Sequence, residues 1–368
     1  MIILKYIKNN LLLILVIIIS LFGILMIYSS SYIWSMYKYN NPYKYLISQS
    51  IFFIIGLFLI FIIKKIDYNF YKTNANKILL ISFILLILVL IPGIGKLRNG
   101  SRSWFALGPF GFQPSEFAKL SLIIFTSKYL SNNNDEIRNI KKTILPLLLV
   151  ISIFFILIML EPDFGQAFVI TLSLISIIFI SGTKLSFFIK CFIFCLMGII
   201  ALVIVAPYRL ARIVSYLNPW VDPLGSGFQI IQSLYAIGPG GLLGLGLTNS
   251  IQKHFYLPEP QTDFIFAIIS EEFGFLGVLI ITSIFFLIFY KSIKISMSSK
   301  DLFSKYLVFG LSIEIIIQVI LNLSVVTGLI PVTGITLPFL SYGGSSLLVS
   351  MISIAIIISV EKNNLSQK

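Results

Sequence analysis

Hydrophobic residues form long runs along the whole chain, and polar residues are concentrated in the segments between these runs. An α-helix needs about 20 predominantly apolar residues to cross a bilayer. The pattern therefore predicts an all-α, polytopic membrane protein with ten transmembrane helices. The predicted helices lie near residues 10–31, 47–63, 78–92, 114–131, 143–160, 165–181, 186–206, 263–290, 304–326 and 344–360.

The composition agrees with a membrane protein. Of the 368 residues, 58% are hydrophobic and 11% are charged, whereas soluble domains carry about 25% charged residues. We expect a single integral-membrane domain over residues 1–368, with a long loop at 207–262 and a short tail at 361–368. Lys5 and Lys8 precede a first apolar run that is longer than the apolar part of a signal peptide, so we expect an uncleaved first helix.

The distribution of positive charge predicts an orientation in the membrane. An even number of helices places both termini on one side, where the loops would carry eighteen Lys and Arg residues against eight on the other side. This positive-inside bias predicts cytoplasmic termini. It also accounts for the net charge of +13 without a nucleic-acid partner.

Few residues could hold a soft metal or a haem. Cys191 and Cys195 lie one helical turn apart in an apolar run, where we expect them to pack as small apolar side chains. His254 is the only histidine. Zinc and haem sites are therefore excluded, and no organic cofactor is expected.

Three loops on the predicted outer side stand out. Gly93–Gln113 is rich in glycine and contains three cations, and Pro207–Thr262 is far longer than an ordinary connection. Within the latter, Phe228–Ile237 is predicted to form a short amphipathic segment that lies on the membrane. The glycine run 238–246 fits flexible or closely packed backbone but not a phosphate-binding loop. Thr327–Gly344 is apolar and rich in Gly and Pro, so we expect it to re-enter the membrane against protein or a water-filled cavity.

The stretch Leu257–Gly277 contains four of the fourteen carboxylates. Charges inside an apolar run are costly and are usually functional. Asp263 stands where a polar loop meets an apolar helix, and it is either the chemical centre or an acidic residue favoured by the helix dipole. Helical spacing places Glu271 on the face of Asp263 about two turns deeper, whereas Glu272 points away and is expected to serve packing.

Two further pairs are candidates. Glu116 and Lys119 are three residues apart at a helix start, where they either neutralise each other or bind an anionic ligand. Glu161 and Asp163 flank Pro162 in a tight turn, where they either bind a divalent cation such as Mg²⁺ or Mn²⁺ or cap the next helix.

Cations also occur on the side where positive charge is disfavoured. They are Lys96, Arg98, Arg102, Arg209 and Arg212. They are either solvated or bind an anionic group, and guanidinium groups match diphosphate oxygens. The residues alone thus fit a transferase or a translocase that handles a lipid-linked anionic substrate on the outer face.

Five longer stretches carry motifs. They are NGSRSWFALGPFGFQPSEFAKL (99–120), EPDFGQA (161–167), LNPWVDPLGSGFQIIQSLYAIGPGGLLGLGL (217–247), SIQKHFYLPEPQTDFIFAIISEEFGFLG (250–277) and GLIPVTGITLPFLSYGGSS (328–346). In these stretches the chain resembles the SEDS family of bacterial cell-wall polymerases, which includes RodA, FtsW and SpoVE. The last two are most similar to the FtsW and SpoVE branch.

The resemblance implies a ten-helix fold in the cytoplasmic membrane, with the active site facing outward. It implies a peptidoglycan glycosyltransferase that inverts configuration as it adds lipid II to an undecaprenyl-diphosphate-linked glycan, with Asp263 as the catalytic base. Residues expected to bind the substrate or its diphosphate are Arg102, Glu116, Lys119, Arg209, Arg212 and Glu259. Asp163 is the expected ligand if a divalent cation is used.

The resemblance also implies a class B penicillin-binding protein as partner, together with divisome or elongasome proteins, in septal or sporulation wall synthesis. A lipid II flippase and a non-catalytic scaffold that activates the transpeptidase are the alternatives. The chain departs from the family pattern at Gln261, where His is common, and at Pro239, where Ser is usual. A role of position 261 in proton transfer is therefore not expected.

Overall fold

The computed structural model describes residues 2–98, 101–107, 110–193, 216–225 and 227–366. This part of the chain is mostly helical. Its main helices are α1 (Ile2–Tyr39), α2 (Lys44–Ile63), α3 (Asn69–Leu90), α4 (Pro114–Asn132), α5 (Leu145–Leu160), α6 (Phe164–Ile180), α7 (Phe228–Ile237), α8 (Ile265–Met297), α9 (Leu302–Val326) and α10 (Gly344–Ser366). A π-helical turn, Ile140–Ile144, precedes α5, and 3₁₀ turns occupy Asn134–Glu136, Pro219–Val221 and Gly238–Gly240.

Helices occupy nine of the ten predicted transmembrane positions. Within the described residues, seven helices are long and apolar enough to cross a membrane, and α6 is a shorter apolar helix. The remaining predicted helix, 186–206, is helical over residues 185–193, and its other residues lie outside the described ranges. The count of ten stays a prediction. Helix α10 continues to Ser366, so the predicted tail at 361–368 begins within this helix. The tail stays a prediction.

The centre of the bundle is formed by α9 and α10. Helix α9 packs against α4, α6, α8 and α10, and α2 packs along α10. In the most apolar part of α10, 78% of the residues are buried, against 22% in α2 and in α3. Side chains such as Ile54 and Phe58 of α2 point away from the protein. An apolar outer surface around a packed centre is what a lipid environment favours.

The all-α prediction misses a small antiparallel sheet. The region predicted as loop 93–113 contains β1 (Gly95–Arg98), β2 (Ser101–Leu107) and β3 (Phe110–Phe112), in the order β1-β2-β3. The rings of Phe105 and Phe112 stack across β2 and β3, with centroids 6.4 Å apart. A hairpin signal was present in the sequence, since the dipeptide Asn99-Gly100 favours the turns that join paired strands.

Helix α8 is broken at Gly274, whose φ of 59° and ψ of −159° lie outside the helical range. The glycine run 238–246 lies against this break and satisfies the backbone groups that it releases. The hydrogen bonds run from Phe275 N to Gly241 O (2.9 Å), Leu276 N to Leu242 O (3.1 Å), Leu245 N to Glu271 O (2.9 Å) and Gly246 N to Glu272 O (3.0 Å). Of the two interpretations of the glycine run, closely packed backbone is the one found.

Gly244→Ala is expected to destabilise this contact. A Cβ at position 244 would lie 2.2 Å from the carbonyl oxygen of Glu272, and Gly244 has a φ of 79°. Backbone strain of this kind costs about 1–3 kcal/mol, so we expect thermal inactivation in detergent at a clearly lower temperature. Gly238→Ala is the control, because its Cβ would meet no atom within 4 Å. Equal inactivation temperatures for the two variants would contradict the packing argument.

The amphipathic segment predicted at Phe228–Ile237 forms helix α7 with the same bounds, and its position on the membrane stays a prediction. Its buried residues include Ile230, Ile231 and Ser233, and the Ser233 hydroxyl donates to the carbonyl of Val326 at 2.7 Å. The helix also packs against α8. Helix α7 therefore attaches the long connection to the helical bundle.

Candidate active site

Asp263 lies in a turn before α8. The helix begins at Ile265, its N-cap position is Phe264, and its first turn contains no acidic residue. The interpretation of Asp263 as a first-turn residue stabilised by the helix dipole is therefore wrong. The Asp263 side chain is partly exposed, so it is available for another role.

The backbone at Asp263 is held by Asn322, a buried residue of α9. The Asn322 side-chain amide donates to the carbonyl of Asp263 at 2.7 Å and to the carbonyl of Ile335 at 2.8 Å. One side chain thus joins the turn at residue 263 to the segment that precedes α10. Gly334 of that segment lies beside the carboxylate, because a Cβ at 334 would be 3.8 Å from Asp263 Oδ2.

The same segment is bonded to the two residues before Asp263. The Ser341 hydroxyl donates to the carbonyl of Thr262 at 2.6 Å, and the Tyr342 amide donates to the carbonyl of Gln261 at 2.8 Å. Position 261 thus contributes a backbone carbonyl to this contact, which does not depend on its side chain. Three consecutive backbone carbonyls are therefore fixed, including that of Asp263 itself.

Three features of its surroundings raise the pKa of Asp263. Burial, then Glu259 and Asp163, raise the pKa of Asp263 to about 7. Like charges disfavour ionisation, and so does removal from water. At neutral pH the group is close to half ionised, which suits a general base.

Asp163 is the N-cap residue of α6. Its Oδ1 accepts from the amide of Gln166 at 3.2 Å, and its Oδ2 accepts from the side chain of Gln113 at 2.7 Å. Burial raises the pKa of Asp163 as well. The structure therefore shows the capping role for this residue.

Glu161 occupies the other end of the Glu161-Pro162-Asp163 turn. It is fully buried, and the hydroxyl of Ser101 donates to its backbone carbonyl. Burial, together with the charge of Asp163, raises the pKa of Glu161 to about 9. With no cation beside it among the described residues, the Glu161 side chain is therefore mostly protonated at neutral pH.

The described residues do not form a preformed binding site for a divalent cation. Among them, no three His, Cys, Asp or Glu side chains converge, and both oxygens of Asp163 already accept hydrogen bonds. Mg²⁺ is commonly held by one or two carboxylates together with substrate phosphates. Asp163 as a ligand of Mg²⁺ or Mn²⁺ stays a prediction.

Lys119 lies inside the bundle between two carboxylates. Its ammonium is 3.0 Å from Glu116 Oε2 and 2.9 Å from Glu314 Oε1, and its side chain is 1% exposed. The Gln166 side chain donates to Glu116 Oε1 at 2.9 Å. Because the Gln166 backbone amide binds Asp163, this network reaches the carboxylate next to Asp263. A contact between Lys119 and a diphosphate would require Glu116 or Glu314 to move.

Sequence reasoning missed Glu314. Its signal was available, since Glu314 is the only carboxylate in the apolar run that forms α9. The partner could not be foreseen, because Glu314 and Lys119 are far apart in the sequence. Gln318 of α9 also donates to the Glu314 carboxylate.

For the other predicted site residues the structure gives few contacts or none. Arg102 lies on β2 and is partly exposed, with its aliphatic stem over Gly95 of β1. Glu259 lies in the turn before Asp263, and its carbonyl accepts from the amide of Thr262 at 3.1 Å. Arg209 and Arg212 lie outside the described residues.

A second buried cluster lies deeper, around Glu272. Its carboxylate is 2.9 Å from the ammonium of Lys253, and both side chains are fully buried. The Ser29 hydroxyl of α1 donates to the same carboxylate at 2.7 Å. The prediction that Glu272 serves packing is wrong, because Glu272 forms an ion pair that joins α8, α1 and the long connection.

Glu271 binds the same connection through different groups. It accepts from the hydroxyl of Ser250 at 2.5 Å and from the amide of Ile251 at 2.8 Å. The carboxylates of Glu271 and Glu272, which lie deeper than Asp263, are therefore both already bonded. Glu271 and Glu272 hold the chain around the site and are separate from its chemistry.

Comparison with known proteins identifies the family. The model of the cell cycle protein family of FtsW, RodA and SpoVE matches residues 9–366. Stage V sporulation protein E of Bacillus subtilis (strain 168) is 48% identical over 340 residues, which cover 92% of this chain and 93% of that protein. The probable peptidoglycan glycosyltransferase FtsW of Geobacter sp. (strain M18) is 39% identical over 344 residues, 94% of each chain.

Solved structures show the same fold. A chain of the structure named "Structural coordination of polymerization and crosslinking by a peptidoglycan synthase complex" matches with a TM-score of 0.77 and 30% identity, over 96% of this chain and 97% of that one. The rod shape determining protein RodA of Thermus thermophilus matches with a TM-score of 0.71 and 27% identity, over the same shares of 96% and 97%. The chain therefore belongs to the SEDS family of FtsW, RodA and SpoVE.

Proposed function

We propose that the chain is a peptidoglycan glycosyltransferase that polymerises lipid II into glycan strands for septal or sporulation cell-wall synthesis. The observation that carries this function is the carboxylate of Asp263, partly exposed, with a pKa of about 7 and a backbone fixed by hydrogen bonds. The relatives support it, because several are named probable peptidoglycan glycosyltransferases and one is a sporulation protein.

Asp263 acts as the general base. It takes the proton from the sugar 4-hydroxyl of lipid II, and the oxygen attacks the anomeric carbon of the strand that is linked to the lipid diphosphate. The new glycosidic bond forms as the bond to the diphosphate breaks, so configuration inverts and the lipid diphosphate leaves. The proton on Asp263 passes to solvent, since the side chain is partly exposed.

Cations stabilise the departing diphosphate. Arg102, Arg209 and Arg212 are assigned to this role, because guanidinium groups donate to phosphate oxygens in a fork. Lys119 and Glu116 form part of the wall behind the site, with Lys119 neutralised by carboxylates on both sides. Glu259 contributes negative charge next to the base and raises its pKa.

The chain acts in the bacterial cytoplasmic membrane, with ten helices, cytoplasmic termini and Asp263 facing outward. The excess of Lys and Arg in the loops of one side supports this orientation. A class B penicillin-binding protein serves as the transpeptidase partner. The similarity to a chain of a peptidoglycan synthase complex supports this partner.

Polymerisation is expected to rise as the pH increases from about 6 to 8. The base works only when ionised, and a pKa raised to about 7 leaves it protonated below that pH. Glu259→Gln removes the neighbouring negative charge that raises this pKa most, so the pH–rate profile should move to lower pH. The measurement is the initial rate of polymer formation at constant ionic strength. A profile that stays in place in Glu259→Gln would contradict this electrostatic coupling.

The function is tested with the purified chain and its transpeptidase partner in detergent, where no membrane barrier exists. Labelled lipid II is added with a β-lactam that blocks the transpeptidase. We expect a ladder of glycan polymers. A scaffold or a flippase would yield no polymer under these conditions, and movement of lipid II across sealed vesicles without polymer would identify a flippase.

A further inference from the structure

Two tyrosines lie beside the site without a part in the proposed reaction. Tyr45, at the start of α2, and Tyr342, just before α10, have ring centroids 4.8 Å apart and planes at 86°. Both side chains are partly exposed. The Tyr342 amide donates to the carbonyl of Gln261, two residues before Asp263. This bond ties the backbone of Tyr342 to the turn that carries Asp263.

The two tyrosine rings present apolar faces, and hydroxyl groups lie at their edges. In an edge-to-face pair, the ring that contributes its edge keeps both of its faces free of the other ring. The Tyr342 hydroxyl lies 3.3 Å from the hydroxyl of Ser48, and the ring centroids of Tyr39 and Tyr45 lie 6.0 Å apart.

We propose that Tyr45 and Tyr342 form a sugar-binding subsite for a hexopyranose of the lipid-linked glycan, which rests on the proposed function. One side of such a sugar presents axial C–H groups, which carry partial positive charge and pack on the negative face of an aromatic ring. Its hydroxyl groups project at the edge, where Ser48 and the phenols can hydrogen-bond to them. A sugar held there would occupy a fixed position relative to Asp263.

Aromatic residues at the edge of a membrane also serve as interface anchors, and the same region contains such residues. Tyr37 is 78% exposed and contacts Phe255 edge to face, with centroids 5.4 Å apart. Tyr45 differs because its partner Tyr342 is bonded to the backbone next to Asp263. The two roles therefore predict different effects of the same substitution at positions 37 and 45.

The test is a titration of polymerisation with lipid II for Tyr45→Leu, Tyr45→Phe and the control Tyr37→Leu, in the complex with the transpeptidase partner. We expect KM to rise about three- to tenfold in Tyr45→Leu at nearly constant kcat, because a contact equal in ground and transition states is lost. Tyr37→Leu should keep the wild-type KM, and Tyr45→Phe, which keeps the ring but loses the hydroxyl, should raise KM less than Tyr45→Leu does. An unchanged KM in Tyr45→Leu, or an equal rise in Tyr37→Leu, overturns the subsite.

A second measurement tests sugar binding to the wild-type chain and does not depend on polymerisation. A soluble β-1,4-linked tetramer of N-acetylglucosamine should show saturation transfer from aromatic protons of the wild-type chain by NMR, and this transfer should weaken in Tyr45→Leu where that variant folds. No transfer from wild type overturns the subsite. A wild-type chain that binds the sugar but makes no polymer would contradict the proposed function and leave the subsite standing.

Discussion

Asp263→Asn is expected to abolish polymer formation. Asparagine has nearly the shape of aspartate but cannot accept the proton from the sugar hydroxyl. General-base catalysis contributes about 10²- to 10⁴-fold, so the rate should fall at least about 100-fold in the purified complex with labelled lipid II. A variant that makes polymer at near the wild-type rate would remove Asp263 from the chemistry.

The same substitution should leave the fold intact. The hydrogen bond from Asn322 goes to the backbone carbonyl of Asp263, which the substitution keeps. Burial is the main cause of the raised pKa, so replacing the carboxylate with a neutral amide removes an unfavourable charge. We therefore expect the inactivation temperature in detergent to be equal or higher, and binding to the transpeptidase partner to be unchanged. If the variant lost both its fold and its activity, a structural role of Asp263 would explain the lost activity.

The helices were predictable because an apolar run of bilayer length is a strong and local signal. Helix α7 was found with its bounds, since its amphipathic pattern interrupts a polar loop. The sheet at 95–112 was missed because its strands have only three to seven residues and carry glycines and cations. The break at Gly274 was missed because glycine is tolerated inside apolar helices, and only the glycine run packed against it makes the break favourable.

The candidate site was predictable as a place but not as a set of contacts. Asp263 could be identified from its position at the edge of an apolar helix and from the family motif. Its fixation by Asn322 and the pairing of Lys119 with Glu314 could not, because these partners lie 59 and about 200 residues away along the chain. Such contacts depend on how the helices pack, and helix packing leaves little trace in a local pattern.

Lys253→Gln is expected to be strongly destabilising. It leaves the carboxylate of Glu272 fully buried without its cation, and breaking a buried ion pair from one side costs about 3–5 kcal/mol. The control is Lys142→Gln, which breaks the exposed pair with Glu136 at 3.6 Å, where the loss is about 0–1 kcal/mol. The measurement is thermal inactivation in detergent. Equal effects of the two substitutions would show that burial does not govern the pair.

The double variant Lys253→Gln/Glu272→Gln then separates charge from shape. It removes both buried charges and keeps groups that can hydrogen-bond to each other and to Ser29, so most of the lost stability should return. The segment between residues 253 and 272 contains Asp263, and the ion pair closes it at the base. If the recovered variant also recovers polymerisation, the pair contributes only to stability. If it folds but polymerises slowly with an unchanged KM, the pair positions the base, since a misplaced catalytic group lowers kcat without weakening substrate binding.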